Sequence, residues 1–279
     1  MNTLINSAAA SRTRIIAFWL TTGIIALETG VGAIWDLQKT AFVRTIMAHL
    51  GYPEYILTIM GVWKVLGVIA LLMPGFPRLK EWVYAGLFFT YTGAFASHLA
   101  VGQSAAAVAP LIFAGITMAS WALRPVERRD FGPLFKDFKT SWRTVTMYWI
   151  STSLVVFVLG AGGVSDLLLQ PYVVAGMKLL GYPAYFCVIL GTWKVLGAVA
   201  ITIPGYPRLK EWAYAGIIFD FTGGAVSHWS IADSGWKVIL FLVFALISWA
   251  LRPASRKDLL QPATMRFFRS GKQKIGVLN

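Results

Sequence analysis

Charge is scarce in this sequence and cysteine is almost missing. Only 13% of the 279 residues are Asp, Glu, Lys or Arg, against about 25% in a soluble domain. Such a chain cannot keep most of its surface in water, so it needs lipid around it. The single cysteine, Cys187, excludes an internal disulfide, a Cys-x-x-Cys redox pair and a cysteine-ligated zinc or iron–sulfur site. No Gly-rich phosphate loop, dinucleotide fingerprint or paired-carboxylate metal signature occurs, so neither nucleotide chemistry nor a metal site is expected.

What the chain has instead is apolar length: 57% of it is hydrophobic and 14% aromatic. Apolar stretches run over 15–35, 55–73, 83–101, 105–123, 145–164, 184–203, 213–231 and 238–251. Most reach the roughly 20 residues that cross a hydrocarbon core about 30 Å thick. The last is the shortest, even counted from Trp236. The expectation is an all-α polytopic membrane protein with eight transmembrane helices.

A net charge of +13 would suggest nucleic acid in a soluble protein, but here it reports topology. With the N-terminus cytoplasmic, nineteen of the 25 basic residues fall on that side, among them Arg78, Lys80, Arg124, Arg208, Lys210 and Arg252. Four (Lys39, Arg44, Lys178 and Lys237) fall opposite, and Lys64 and Lys194 lie inside spans. The positive-inside rule then places both termini and the middle linker in the cytoplasm, with a bacterial inner (plasma) membrane as the expected location and no nucleic-acid partner. The basic tail from Arg252 reads as an anchor on anionic lipid. Met1 to Arg14 is basic, but the apolar run behind it is too long for a secretory signal and reads as a retained first span.

An offset of 130 residues lays one half of the chain on the other. Between 51–98 and 181–228 there are about 28 identities in 48 positions without a gap. Gly51-Tyr52-Pro53 returns as Gly181-Tyr182-Pro183, Trp63-Lys64-Val65-Leu66-Gly67 as Trp193-Lys194-Val195-Leu196-Gly197, and Pro77-Arg78-Leu79-Lys80-Glu81-Trp82 as Pro207-Arg208-Leu209-Lys210-Glu211-Trp212. Four spans per copy is an even number, so the two copies enter the membrane in the same sense, about a pseudo-two-fold axis along the membrane normal. Pro74-Gly75-Phe76-Pro77 predicts a tight cytoplasmic turn. Phe42, Val43, Ile46, Met47 and Leu50 at helical spacing, stopped by Gly51, predict a short outer interfacial helix, with Gln170-Pro171 opening its counterpart.

These motifs resemble the DoxX-like family: an outer helix ending in Leu-Gly-Tyr-Pro, a second span with Lys-x-Leu-Gly, then Leu-Lys-Glu-Trp and a Ser-His end to the third span. The resemblance implies a four-helix membrane bundle, here twice in tandem. The expected organisation is a cytoplasmic segment 1–13, a first repeat 14–124, a linker 125–142, a second repeat 143–252 and a basic tail 253–279. Distant relatives include a subunit of a thiosulfate:quinone oxidoreductase. The resemblance therefore implies an accessory or scaffold subunit of a quinone-linked membrane redox system, with a membrane oxidoreductase subunit as partner.

Ionisable groups inside spans usually face the bundle interior and have partners. Counting rise per residue puts Lys64, Lys194 and Asp220 near the midplane and Glu28 toward the outer side. The expected pairs are Lys64 with Glu28 and Lys194 with Asp220. They either tie helices together or line a polar cavity for a ligand head group or protons. Gly216, Asp220, Gly224 and His228 form one stripe, matched by Gly86, Thr90, Ala94 and His98; it reads as a close-packing face, or as a groove for an isoprenoid ring with His98 or His228 donating a hydrogen bond. Two symmetry-related histidines also raise bis-histidine haem, but their place at the ends of spans suits the headgroup region, and haem is not expected. Most tryptophans read as interfacial belts, with Trp63 and Trp193 beside the lysines. A carrier for a small hydrophobic or protonatable solute and a non-catalytic membrane assembly factor are the other two readings.

Overall fold

The structure, a computed structural model, describes residues 2–129 and 141–253. The core of the linker and nearly all of the basic tail lie outside the described residues. Every regular element among the described residues is an α-helix: α1 (Asn2–Leu37), α2 (Ala41–Leu50), α3 (Tyr55–Leu72), α4 (Pro77–Ala100), α5 (Ser104–Leu123), α6 (Val126–Arg129), α7 (Trp142–Leu167), α8 (Pro171–Leu179), α9 (Ala184–Thr202), α10 (Pro207–Ser230) and α11 (Trp236–Ala250). Five helices, spanning 12–37, 55–72, 104–123, 142–167 and 184–202, are long and apolar enough to cross a membrane. The helices α4 and α10, of 24 residues each, hold the polar motifs, and α11 has only 15 residues.

The turns form where the sequence dictates them. Gly75 and Phe76 adopt left-handed φ of 73° and 50°, and Pro77 opens α4; Gly205, Tyr206 and Pro207 repeat this at α10. The short outer helices are present, and Gly51 caps α2 at φ 75° with its N–H and that of Tyr52 returned to Ala48 and Met47. In α8 Pro171 sits in the first turn, where its missing N–H costs nothing.

Helices α1, α3, α4 and α5 pack around one another, as do α7, α9, α10 and α11, and the two groups meet through α4 on α10, α3 on α10 and α4 on α9. Three layers join the halves. At the inner end, Glu81 and Glu211 are wholly buried. Glu81 accepts hydrogen bonds from Trp121 Nε1 (2.8 Å) and Arg124 Nη2 (2.9 Å) of its own half, and from Trp212 Nε1 (2.8 Å) of the other. Arg208 Nε stands 3.7 Å away. Glu211 mirrors this with Trp249 (2.9 Å), Arg252 (2.7 Å), Trp82 (2.9 Å) and Arg78. Each carboxylate is thus held by an arginine and an indole of its own repeat and by an indole and an arginine of its neighbour. Hydrogen bonds to a buried charge contribute about 1.5–3 kcal/mol each.

At mid-height Trp63 meets Phe219 and Trp193 meets Phe89, both edge to face with centroids 4.8 Å apart. The rings fit because Gly86 and Gly216 lack side chains: an added Cβ would stand 3.1 Å from Phe219 and 2.9 Å from Phe89. At the outer end Tyr55 Oη donates to Leu180 O and Tyr185 Oη to Leu50 O, each at 2.7 Å. Pro183 packs on Gly51 and Pro53 on Gly181.

Several basic residues that serve topology in the sequence have a second role. Lys80, 1% exposed, donates to Ala70 O (3.0 Å) and to Met73 O, closing the end of α3; Lys210 does the same for α9 through Ala200 O (2.9 Å) and Ile203 O. The indole N–H groups of Trp82, Trp121, Trp212 and Trp249 are likewise engaged, all four on the two buried carboxylates.

Candidate functional site: the mid-helix lysine of each repeat

Lys64 stands nine residues into α3 and Lys194 ten into α9, about 14–15 Å from the outer ends of those helices. Neither makes its closest pair with the carboxylate its sequence suggested. Lys64 Nζ lies 2.7 Å from Asp36 Oδ2, and Lys194 Nζ lies 2.9 Å from Asp166 Oδ2. The expected pairing of Lys64 with Glu28 is corrected to Asp36, and Asp220 is the second carboxylate of Lys194, at 3.9 Å.

Helix crossing explains the change. Asp36 and Asp166 are one residue from the ends of α1 and α7, and those ends run deep against α3 and α9. The approach is close because glycine faces it: a Cβ on Gly61 would stand 2.7 Å from Leu37, and one on Gly191 2.7 Å from Gly163 O and 2.8 Å from Asp166 Cβ. A short aspartate at the end of one helix therefore reaches a lysine in the middle of the next.

Glu28, Gly32 and Asp36 lie four residues apart on one face of α1, and Lys64 Nζ is 3.2 Å from where Gly32 would carry a Cβ. The ammonium is therefore level with Gly32 and pairs with Asp36, and no ion pair joins it to Glu28 among the described residues. Glu28 accepts from the Tyr91 hydroxyl and, at 3.4 Å, from Thr29; Tyr91 and Thr29 are themselves 3.2 Å apart. In the second repeat Val158, Leu159 and Phe221 stand at the positions of Glu28, Thr29 and Tyr91, and Asp220 stands at that of Thr90. Asp220 makes no hydrogen bond among the described residues, and its side chain, like those of Lys64 and Lys194, is 20% exposed.

The histidines belong elsewhere. His98 Nδ1 is 2.9 Å from Gln103 Oε1, and His228 Nδ1 is 2.8 Å from Asp233 Oδ2, so each ties the outer end of its helix to the following loop. His228 is eight residues beyond Asp220, about 12 Å of helix rise. The six candidates therefore divide: Lys194 and Asp220 come together, Lys64 pairs with Asp36 while Glu28 is bonded by Tyr91 and Thr29, and His98 and His228 join neither lysine. Of the stripe, Gly86 and Gly216 seat the opposite repeat's phenylalanines, and Gly224 faces Val238 at 3.5 Å. Among the described residues no three His, Cys, Asp or Glu side chains converge to hold a metal ion.

The same family model matches residues 20–120 and again 150–251. The chain belongs to the DoxX-like family. It carries the unit twice, in tandem, and both lysine sites lie inside matched segments of this DoxX-like protein. No curated protein and no solved structure matches it.

Sequence reasoning missed Asp36 and Asp166, and with them Glu81 and Glu211 as an assembled centre. A signal for each was present. Asp36 recurs as Asp166 at the 130-residue offset, always 28 residues before the lysine, and Glu81 recurs as Glu211 inside the most faithfully repeated hexapeptide. A charge repeated in a sequence so poor in charge is the feature to follow.

Proposed function

We propose that this DoxX-like protein crosses a bacterial inner membrane eight times, with both termini cytoplasmic, as an accessory subunit of a quinone-linked redox system. In this reading each repeat offers a head-group site at its lysine. Five helices meet the length and hydropathy of spans; α4 and α10 tolerate polar residues because neighbouring helices cover them, and α11 borders them at the rim. The basic residues on the turn and linker side support the orientation.

The observation that carries the reading is the setting of the two lysines. Each is a part-exposed ammonium at mid-helix, one residue from a tryptophan whose ring meets a phenylalanine of the opposite repeat. A cationic donor beside aromatic edges suits a flat, carbonyl-bearing ring. The test is purification from native membranes followed by lipid extraction. Wild-type protein is expected to retain quinone and an oxidoreductase partner, and Lys64→Met/Lys194→Met to lose the quinone while keeping the partner. Equal quinone in both preparations sinks the head-group site.

One observation favours a second reading, a carrier for a protonatable solute: in the second repeat two carboxylates, Asp166 and Asp220, stand against the one ammonium of Lys194. Proton-coupled uptake into liposomes, absent with Asp220→Asn, is the result that would select it.

A further inference from the structure

The two buried glutamates leave part of their arginines unused. In Arg124, Nε donates to Trp121 O and Nη2 to Glu81 Oε1, each at 2.9 Å, so one edge of the guanidinium is spent. In Arg252 the same two atoms go to Trp249 O (2.9 Å) and Glu211 Oε1 (2.7 Å). The opposite edge is different. Nη1 of Arg124 and Nη1 of Arg252 are buried without a hydrogen-bond partner among the described residues, on side chains that are 1% and 0% exposed. Tyr84 and Trp121 lie against the first guanidinium, and Tyr214 and Trp249 against the second. Aromatic contact attracts the charge, but it supplies no oxygen to the two N–H groups that each Nη1 carries. A buried donor left over at the same place in both repeats calls for an acceptor from outside the chain.

Charge decides what kind of acceptor that is. In the first repeat the charges of Arg124 and Arg128 both act on Lys80. These three cations have one carboxylate between them, Glu81, and the exposed Glu127 forms no ion pair with them. Lys80 and Arg128 also close the carbonyl end of α3, at Ala70, Leu71, Leu72 and Met73, which adds about half a negative charge. More than one positive charge stays unmatched; a water molecule leaves it so, and an anion removes it. The approach from the membrane is basic as well. Arg128 is part-exposed and stands 4.8 Å from the ring centroid of Trp19, itself 46% exposed, while the exposed Arg14 donates to Ala122 O (3.2 Å), two residues before Arg124. Basic side chains between helices, beside a tryptophan at the inner end of the spans, suit the phosphate of a lipid head group. We propose that each repeat binds one phosphate group at its inner end, the oxygens accepting from the unpartnered edge of Arg124 in the first repeat and of Arg252 in the second.

Such a site is independent of quinone, and it differs from adsorption on the basic tail in its response to salt. At about 1 M salt the Debye length is about 3 Å, so surface attraction disappears while a buried contact is screened little. The full chain, purified in a neutral detergent, is offered phosphatidylglycerol, phosphatidylcholine or inorganic phosphate, washed in about 1 M sodium chloride, and examined by native mass spectrometry. Two phosphatidylglycerol molecules per chain are expected to survive the wash, and phosphatidylcholine is not. Arg124→Lys/Arg252→Lys keeps both charges but removes the second edge. It should weaken phosphatidylglycerol binding about tenfold at each site, in the range of one charge-assisted hydrogen bond, whereas Arg44→Gln on the outer side should leave it unchanged. Inorganic phosphate retained in place of lipid, and lost with the same lysine substitutions, supports the site with a soluble occupant. Release of the lipid by salt, equal retention of phosphatidylcholine, undiminished binding by the folded lysine variant, or no phosphate-bearing species at all overturns the proposal. Should the lysine variant fail to fold, salt resistance and lipid selectivity of the wild type decide the matter by themselves.

Discussion

The two repeats agree at their ends and disagree in the middle. The inner Glu–Arg–Trp centre and the outer Tyr–carbonyl contacts are reproduced partner for partner across the pseudo-two-fold, whereas at the lysine level Glu28, Thr29 and Tyr91 are replaced in the second repeat by Val158, Leu159 and Phe221, and Thr90 by Asp220. Contacts that cross the axis are constrained twice, because each residue must suit both its own half and the other. Groups inside one repeat answer only to that repeat, and there the copies have diverged. The interface is therefore the structural part and the lysine level the part free to specialise.

The largest expected effect tests the first half of that comparison. Glu81→Gln takes the carboxylate from the buried Arg124, and Glu211→Gln takes it from the buried Arg252; breaking such a buried pair by removing one partner costs about 3–5 kcal/mol. Thermal unfolding in detergent should show the two variants equally destabilised; a marked difference between them breaks the symmetry argument. Next in size is the lysine level, where Lys194→Met should lower the yield of folded protein and Lys194→Met/Asp166→Asn should recover part of it. A double variant as poor as the single one removes simple pairing as the explanation. Smaller is the loss of one outer hydroxyl: Tyr55→Phe and Tyr185→Phe each delete one hydrogen bond to a carbonyl, worth about 1 kcal/mol, and their thermal shifts should match within error.

The smallest effect separates the two histidine ties. His98 bonds a neutral glutamine, but His228 bonds Asp233, whose carboxyl is held below the usual carboxylate range by hydrogen bonds from His228 and from the Ser234 N–H. A lowered folded-state pKa means stabilisation present above the ordinary carboxylate pKa and lost as pH falls through the lowered value. The stability gap between wild type and Asp233→Asn should therefore close on acidification through the region below about pH 4. The gap between wild type and Gln103→Ala should stay flat over the same range.

Much of this protein was readable in one dimension. Helix positions, the outer helices, the Gly-Tyr-Pro and Pro-Gly turns, the tandem repeat and the family follow from apolar runs, from proline and glycine, and from a 130-residue echo, all of which act within a few residues or by direct identity. Lys64, Lys194, Glu28 and Asp220 were found because charge in an apolar run is expensive. His98 and His228 stand near the ends of α4 and α10 and bond Gln103 and Asp233, apart from the lysines.

Amino-acid order alone settled which segments are helical, how many copies of the unit there are and which residues carry unwelcome charge, because these depend on local backbone preference and on the price of taking a side chain into oil. Tertiary structure alone decided that Lys64 and Lys194 pair with Asp36 and Asp166, and that Glu81 and Glu211 exchange indoles and arginines across the repeats. Those choices depend on where glycines let two helices cross and on which half of the molecule a side chain reaches, and neither distance is written along the chain.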